Sequence, residues 1–257
     1  MYTSLLALGF LTTAQAHKPS FSGDYDTPGE AWAVPDPEIS IVLYQEITCD
    51  LQHLWMSLDG EAGFPLYIQL GVPVIDRLSD YRPSVALVAP GLPAPEADLP
   101  FELPAGTGIQ VFDTQDVEQP GDFYEPFTQT ESWVLVEETV ELPETGQAWL
   151  VAWDPGRQTG KLWVATGTVE DFSDVDPAEF IEWGAIVQDF HEVDPAVQAA
   201  ARPERVCEGG TDTTEDANAS DRSGQKTDSC STLSTGATGL WGLALWGWAL
   251  VLRRRQD

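Results

Sequence analysis

Short apolar segments, separated by turns rich in glycine and proline, recur along residues 39–167. In one of them Leu54, Met56 and Leu58 occupy alternate positions, which is the pattern of a strand that buries one face. The other segments are 39–44, 66–72, 84–88, 108–112, 132–136, 148–153 and 160–165. Because no helical crossover separates these short strands, the pattern favours a β-sandwich or barrel over a parallel α/β sheet.

A helix is predicted to follow the strands and to pack across one sheet. Asp176 is a good N-cap, Pro177 suits the first helical position and Glu179 completes a capping box. The apolar residues that follow share one helical stripe, at Phe180, Trp183, Val187 and Phe190. A shorter helix is predicted over residues 195–201.

The N-terminus has the features of a secretory signal peptide. Residues 5–11 form a short apolar core, and Ala14 and Ala16 have the spacing of a small-x-small cleavage site. Cleavage after Ala16 leaves His17 as the first residue of the mature chain. The alternative is a buried first strand, but a segment this short beside a cleavage pattern favours export.

The C-terminus has the features of a membrane anchor. Residues 236–252 carry no charge, and three arginines follow at 253–255. The run is at the short end of the about 17–25 residues that span a bilayer, and the arginines should stay on the cytoplasmic side. The alternative is a terminal helix buried in the core, but such a helix rarely ends in an arginine cluster.

The same segment resembles a known class of sorting signal. A cysteine, a helix rich in Gly, Ala, Trp and Leu, and a terminal arginine cluster, combined with a signal peptide, resemble the MYXO-CTERM tails of bacteria. The resemblance covers residues 230–257. It implies processing near Cys230 by a sorting protease, display on the cell envelope or cell surface, and a lipid on that cysteine.

The charge of the chain excludes one class of partner. There are 42 acidic and 12 basic residues, which gives a net charge of −30, and such a surface repels nucleic acid and anionic lipid headgroups. The composition suits loose collection of divalent cations or adaptation to a salt-rich habitat, and both stay open. Residues 207–234 are rich in Thr, Asp, Ser and Gly, which is typical of a disordered linker.

One disulfide is predicted. The chain has three cysteines, and export permits a disulfide. With Cys230 assigned to the tail, Cys49 and Cys207 are the remaining pair. The bridge closes a very long loop, which corresponds to roughly 4–5 kcal/mol in the chain-entropy model.

The body of the chain resembles the bacterial pre-peptidase C-terminal (PPC) domain. The matching segments are 54–58 with 61–63, 66–68, 86–91, 142–146 and 160–164. The resemblance implies a jelly-roll-like, antiparallel β-sandwich that acts as a binding or accessory module without catalysis, in some members with a bound calcium ion. Trp149 and Trp163 are large enough to fill the core of such a domain.

The sharpest chemical hypothesis concerns the three histidines, His17, His53 and His191. A mature N-terminal His17 offers its α-amine and an imidazole nitrogen, a chelate that suits copper when His53 or His191 adds another imidazole. The alternatives are structural. His17 is then an incidental terminus, His53 a surface residue, and His191 a helix C-terminal residue favoured by the helix dipole.

Two other groups are weaker candidates for binding. Three aspartates between residues 171 and 176 lack the glycine and terminal glutamate of an EF-hand loop, so helix capping accounts for them. Tyr124, Phe127 and Trp133 lie in or beside the long irregular segment 113–131. They are predicted either to form an aromatic ligand face or to pack against the sheet.

The predicted order is a signal peptide (1–16), a β-sandwich (17–172), a helical extension packed on it (173–206), an acidic linker (207–234) and a transmembrane sorting tail (235–257). No nucleophile elbow, HExxH, P-loop or dinucleotide motif occurs. We therefore expect an exported, membrane- or surface-anchored binding or envelope module that is not an enzyme. The alternative is an extracytoplasmic copper-binding protein built on His17.

Overall fold

Eleven strands and two α-helices make up the described part of the computed structural model, residues 17–21 and 23–208. The strands are β1 (Lys18–Phe21), β2 (Trp32–Ala33), β3 (Ile41–Ile47), β4 (His53–Gly60), β5 (Pro65–Pro73), β6 (Ser84–Ala89), β7 (Gly108–Phe112), β8 (Gly121–Glu125), β9 (Thr130–Glu141), β10 (Gly146–Trp153) and β11 (Gly160–Thr166). The helices are α1 (Pro177–Phe190) and α2 (Pro195–Ala200), and a 3-10 helix occupies Asp76–Leu78. The predicted mainly β fold is confirmed.

Several predicted segments cannot be compared with this structure. The signal peptide with Ala16, the linker after Glu208 and the sorting tail with Cys230 lie outside the described residues. Within the described ranges, no helix is long and apolar enough to cross a membrane.

The strands form two sheets. One has six strands in the order β1-β3-β11-β5-β9-β8, and the other has five in the order β2-β4-β10-β6-β7. Neighbours are antiparallel except at two edges, where β1 runs parallel to β3 and β2 runs parallel to β4. These two edges differ from the predicted antiparallel arrangement, because a long connection rather than a hairpin joins each edge strand to its partner.

Side chains from both sheets fill the space between them. In β4, Leu54, Met56 and Leu58 face this core and are at most 3% exposed, which confirms the predicted alternation. Trp55, on the opposite side of the same strand, belongs to a separate cluster on the outer face. The sandwich is thus apolar on outer surfaces as well as between its sheets.

Each outer face is covered by a different part of the chain. On the five-stranded sheet, Phe101 from the loop between β6 and β7 packs edge-on against Trp55 at a centroid separation of 5.2 Å. On the six-stranded sheet, Val187 of α1 packs with Trp163. Trp149 and Trp163 are therefore buried on the outer faces and not between the sheets, which corrects their predicted place.

Helix α1 begins where the sequence predicts. The Asp176 carboxylate accepts from the backbone N–H of Ala178 at 2.8 Å, and Glu179 accepts from the backbone N–H of Asp176 at 3.0 Å. The capping box is therefore confirmed. Further along the predicted stripe, Val187 and Phe190 pack against the six-stranded sheet. The cap thus sets the start of the helix that covers this face.

The C-terminal part of the described chain is held by a disulfide and by ion pairs. The predicted Cys49–Cys207 bridge is confirmed, with Cα atoms 5.4 Å apart. The two terminal guanidinium nitrogens of Arg77 donate to the carboxylate of Glu192, at 2.6 and 2.5 Å. Lys161 lies 2.8 Å from the same carboxylate, so the segment after α1 is tied to the 3-10 helix and to β11.

Candidate functional site

The three histidines lie in two separate places. His53 is on β4 of the five-stranded sheet, where the Asp26 carboxylate accepts from its backbone N–H at 2.7 Å. Its ring packs edge-on against Phe101, which covers that outer face. His17 and His191 lie on the outer face of the six-stranded sheet instead. Because both sheets lie between His53 and the other two rings, the three predicted copper ligands do not converge.

His191 is hydrogen-bonded at both ring nitrogens. Nδ1 lies 2.8 Å from the backbone carbonyl of Val187, and since a carbonyl can only accept, Nδ1 carries the proton. Nε2 accepts from the Ser132 hydroxyl at 3.1 Å, and that hydroxyl accepts from Trp163 Nε1 at 3.0 Å. Burial lowers the pKa of His191 to about 4, so its ring is neutral at physiological pH.

His17 is the second buried imidazole on this face. Its Nδ1 lies 2.6 Å from the Ser40 hydroxyl. Nε2 is buried and makes no hydrogen bond of good geometry among the described residues, although the Gln69 side chain interacts with the ring. Burial lowers the pKa of His17 to about 4, while the side chain of Gln69 and the charge of Glu170 favour the protonated ring. The ring centroid is 6.4 Å from that of Trp163. His17 and His191 therefore share Trp163 as a neighbour.

A preformed metal centre requires several ligand side chains arranged around one point. In residues 17–21 and 23–208, no group of three or more His, Cys, Asp or Glu side chains is arranged to hold a metal ion. The predicted aspartates have local partners. Asp171 accepts from the backbone N–H of Ser173 at 2.9 Å, Asp174 pairs with Lys18 at 2.7 Å, and Asp176 caps α1.

A cavity of about 120 Å³ lies between α1, the outer face of the six-stranded sheet and the turn from β8 to β9. For comparison, an engineered cavity of about 150 Å³ holds one benzene molecule. Aromatic residues supply half of the wall, namely Tyr44, Phe127, Phe172, Phe180 and Trp183. The others are His17, Pro19, Glu125, Thr128 and Val187.

The aromatic rings of the wall pack on one another. Phe180 contacts Phe127, Phe172 and Trp183 at centroid separations of 5.3, 5.6 and 5.7 Å. Phe127 is 51% exposed, so this wall reaches the solvent. The predicted aromatic face is thus present only in part, because Tyr124 is exposed and does not line the cavity. Trp133 packs against the core instead.

Glu125 brings a carboxylate to the wall. It is 9% exposed, and its Oε1 accepts from the backbone N–H of Phe127 at 3.0 Å. None of the ion pairs within the described ranges involves Glu125. Burial raises its pKa, and the negative charge of Glu170 acts in the same direction. Within the described residues, the cavity thus contains a largely buried carboxylate that forms no ion pair.

The hydroxyl side chains at or near the cavity are hydrogen-bonded within the protein. The Thr128 hydroxyl is hydrogen-bonded to the Thr130 hydroxyl at 2.8 Å. Ser40 and His17 have the residue types of a nucleophile and its base. Ser40, however, is only 3% exposed and does not line the cavity, so its hydroxyl does not face a bound molecule there.

Sequence reasoning missed most of this site. It singled out His17, and Phe127 with Glu125 beside it in the irregular segment, but it gave no binding role to Glu125 or Tyr44. It assigned Phe180 and Trp183 to helix packing. Glu125 directly precedes Pro126 and Phe127 in the irregular segment, and that position was the available signal. Tyr44, Glu125 and the two aromatic residues of α1 belong to three different elements, β3, β8 and α1, and only the tertiary fold brings them together.

Comparison with known proteins assigns no family. No protein-family model matches the chain, and no curated protein matches it. Among solved structures, CorA of Methylomicrobium album BG8, a surface-associated copper-binding protein important in copper acquisition, matches with 12% identity. The match covers 60% of this chain and 99% of that chain, with a TM-score of 0.25. A likeness this low carries no argument about fold or ligand.

Proposed function

We propose that the protein is an exported, envelope-anchored module that binds a small ligand, or one group of a larger ligand, in the cavity beneath α1. The observation that carries the binding proposal is this cavity, with five aromatic residues and a buried carboxylate in its wall. Concave sites with apolar walls and a few polar groups are typical of ligand binding. Export and anchoring rest on residues 1–16, with cleavage after Ala16, and on the tail with Cys230.

The proposal includes a non-catalytic role and a PPC-like, jelly-roll-like relationship. A domain of two packed sheets is compatible with that relationship. A non-catalytic role is supported by the buried position of Ser40 behind His17. A deep site that brought a nucleophile and base to a bound substrate would argue for an enzyme instead.

Cell fractionation tests the anchoring. The full chain is expected in the membrane fraction, and protease added to intact cells is expected to digest its domain. A chain lacking residues 235–257, with the same domain, is expected in a soluble extracytoplasmic fraction. A full-length chain that stays soluble in the cytoplasm would contradict export, whereas a domain digested only after lysis would contradict surface display.

Copper binding is the second candidate function, and one observation favours it. His17 and His191 lie on the same outer face beside Trp163, and burial keeps both imidazoles neutral near pH 7. Metal ligands must be deprotonated, and a chelate with the α-amine would use Nδ1 of His17, which would exchange its hydrogen bond with Ser40 for the metal. The proposed copper ligands are then His17 and His191, without His53, together with the α-amine that cleavage after Ala16 creates.

Two measurements decide the copper candidate. N-terminal sequencing of the mature protein must show His17 as the first residue. Copper titration should then show loss of binding in His17→Ala and unchanged binding in His53→Ala, the matched control on the other sheet. Another first residue, or equal binding by wild type and His17→Ala, would remove the candidate and leave the binding module in place.

A further inference from the structure

We infer that the ligand group held in the cavity beneath α1 is an organic cation, the size of a trimethylammonium or a protonated amine, with Glu125 as its counter-ion. The inference rests on the proposed function and names the chemical class of its ligand. The cavity, at about 120 Å³, is slightly smaller than a space that holds benzene. It therefore suits a compact headgroup and excludes a large ring system.

The walls have the composition of an aromatic cage. The ring plane of Phe180 makes angles of 74° and 65° with those of Phe127 and Trp183. Neighbouring rings in the cavity wall are therefore not parallel. The face of an aromatic ring carries negative charge density and attracts a cation within about 6 Å of its centroid. Several such rings around one small cavity stabilise a cation more than an uncharged group of the same shape.

Glu125 distinguishes a cation site from a merely apolar one. A buried carboxylate that lacks a cationic partner is destabilising. Glu125 accepts one backbone hydrogen bond but belongs to none of the ion pairs that the described chain forms. Glu170 adds negative potential and no compensation. A bound cation would neutralise the carboxylate, whereas a neutral or anionic ligand would leave it unpaired.

The same wall argues against a bare metal ion as the occupant. Calcium takes six to eight oxygen ligands and magnesium an octahedral set, but the wall offers one carboxylate among aromatic and aliphatic side chains. An organic cation with an apolar surface can pair with the carboxylate and pack against the aromatic and aliphatic side chains. The net charge of −30 on the chain also raises the local concentration of cations.

Calorimetric titration of the mature domain with choline and with 3,3-dimethylbutan-1-ol, its uncharged isostere, tests the inference. Choline is expected to bind at least about tenfold more tightly, which corresponds to a cation–π and ion-pair contribution of about 1.4 kcal/mol. Glu125→Gln should reduce this difference, because it removes the ion pair and leaves the aromatic wall. Asp122→Asn, the matched control, makes the same charge change at an exposed residue of β8 and should bind like wild type.

A second variant protects the test against misfolding. Phe127 is half exposed, so Phe127→Leu should fold, and it should weaken choline binding more than binding of the isostere. Equal affinity of wild type for choline and isostere would overturn the cation assignment and leave a neutral-ligand module. Failure of both to bind would remove the cavity as a site for groups of this size and contradict the proposed function as well.

Discussion

The stability of the domain depends on pH through two buried residues, His17 and His191. Burial lowers the pKa of each to about 4 in the folded protein, against about 6.5 in an unfolded chain. As the pH falls below about 6.5, the unfolded chain takes up protons first, so folding stability decreases. The loss is complete near pH 4 and is about 3 kcal/mol for each histidine.

We therefore expect the free energy of unfolding to fall between neutral pH and about pH 4, and to fall less in His191→Gln. Urea unfolding at a series of pH values measures this. The lowered pKa of Glu192 adds to the fall and the raised pKa of Glu125 opposes it. Both act alike in wild type and variant, so the difference isolates His191. Parallel pH profiles would show that His191 is not a buried neutral imidazole.

At the scale of elements, the Cys49–Cys207 bridge joins the loop after β3 to the segment after α2. The sequence separation is 158 residues, and closing a loop of that length stabilises a fold by about 4–5 kcal/mol in the chain-entropy model. A Cys49→Ser, Cys207→Ser double variant should lose about this much in urea unfolding. Reduced wild type should match it. A variant as stable as oxidised wild type would show that no bridge forms.

The elements also show what could be predicted from the sequence. Eight strands are predictable because each contains a short apolar segment bounded by turn residues. Helix α1 is predictable because Asp176 and Glu179 mark its start. The edge strands β1 and β2 have four and two residues, too few for a period to be recognised. β8 was assigned to an irregular segment because Gly121–Glu125 is mostly exposed and therefore lacks an apolar face.

The cavity could not be predicted from the sequence, because its wall residues come from separate elements. Its wall combines Tyr44 of β3, Glu125 of β8, Phe172 and three residues of α1. These residues come together only because α1 covers this outer face. The aromatic stripe of a helix predicts packing but not a gap in that packing. Only Phe127, half exposed beside Glu125, gave a local indication of a binding surface.

In the whole domain, the two outer faces of the sandwich are covered by different parts of the chain, and a cavity lies beneath the cover of one of them. The loop that carries Phe101 covers the five-stranded sheet, where Trp149 and Trp153 are buried. Helix α1 covers the other sheet and leaves the cavity with Glu125. In the proposed arrangement, the tail with Cys230 keeps the domain at the envelope. An acidic surface then favours approach of cations over anions.

Indole N–H resonances report whether the cavity beneath α1 binds a ligand. Trp183 lines the cavity, whereas Trp149 and Trp153 lie on the opposite outer face and act as internal references. The mature domain, labelled with nitrogen-15, is titrated with small cations, neutral isosteres and simple sugars. We expect at least one of these compounds to shift the Trp183 resonance and to leave those of Trp149 and Trp153 unchanged. If none of them shifts it, or if all indole resonances move together, binding in this cavity is contradicted.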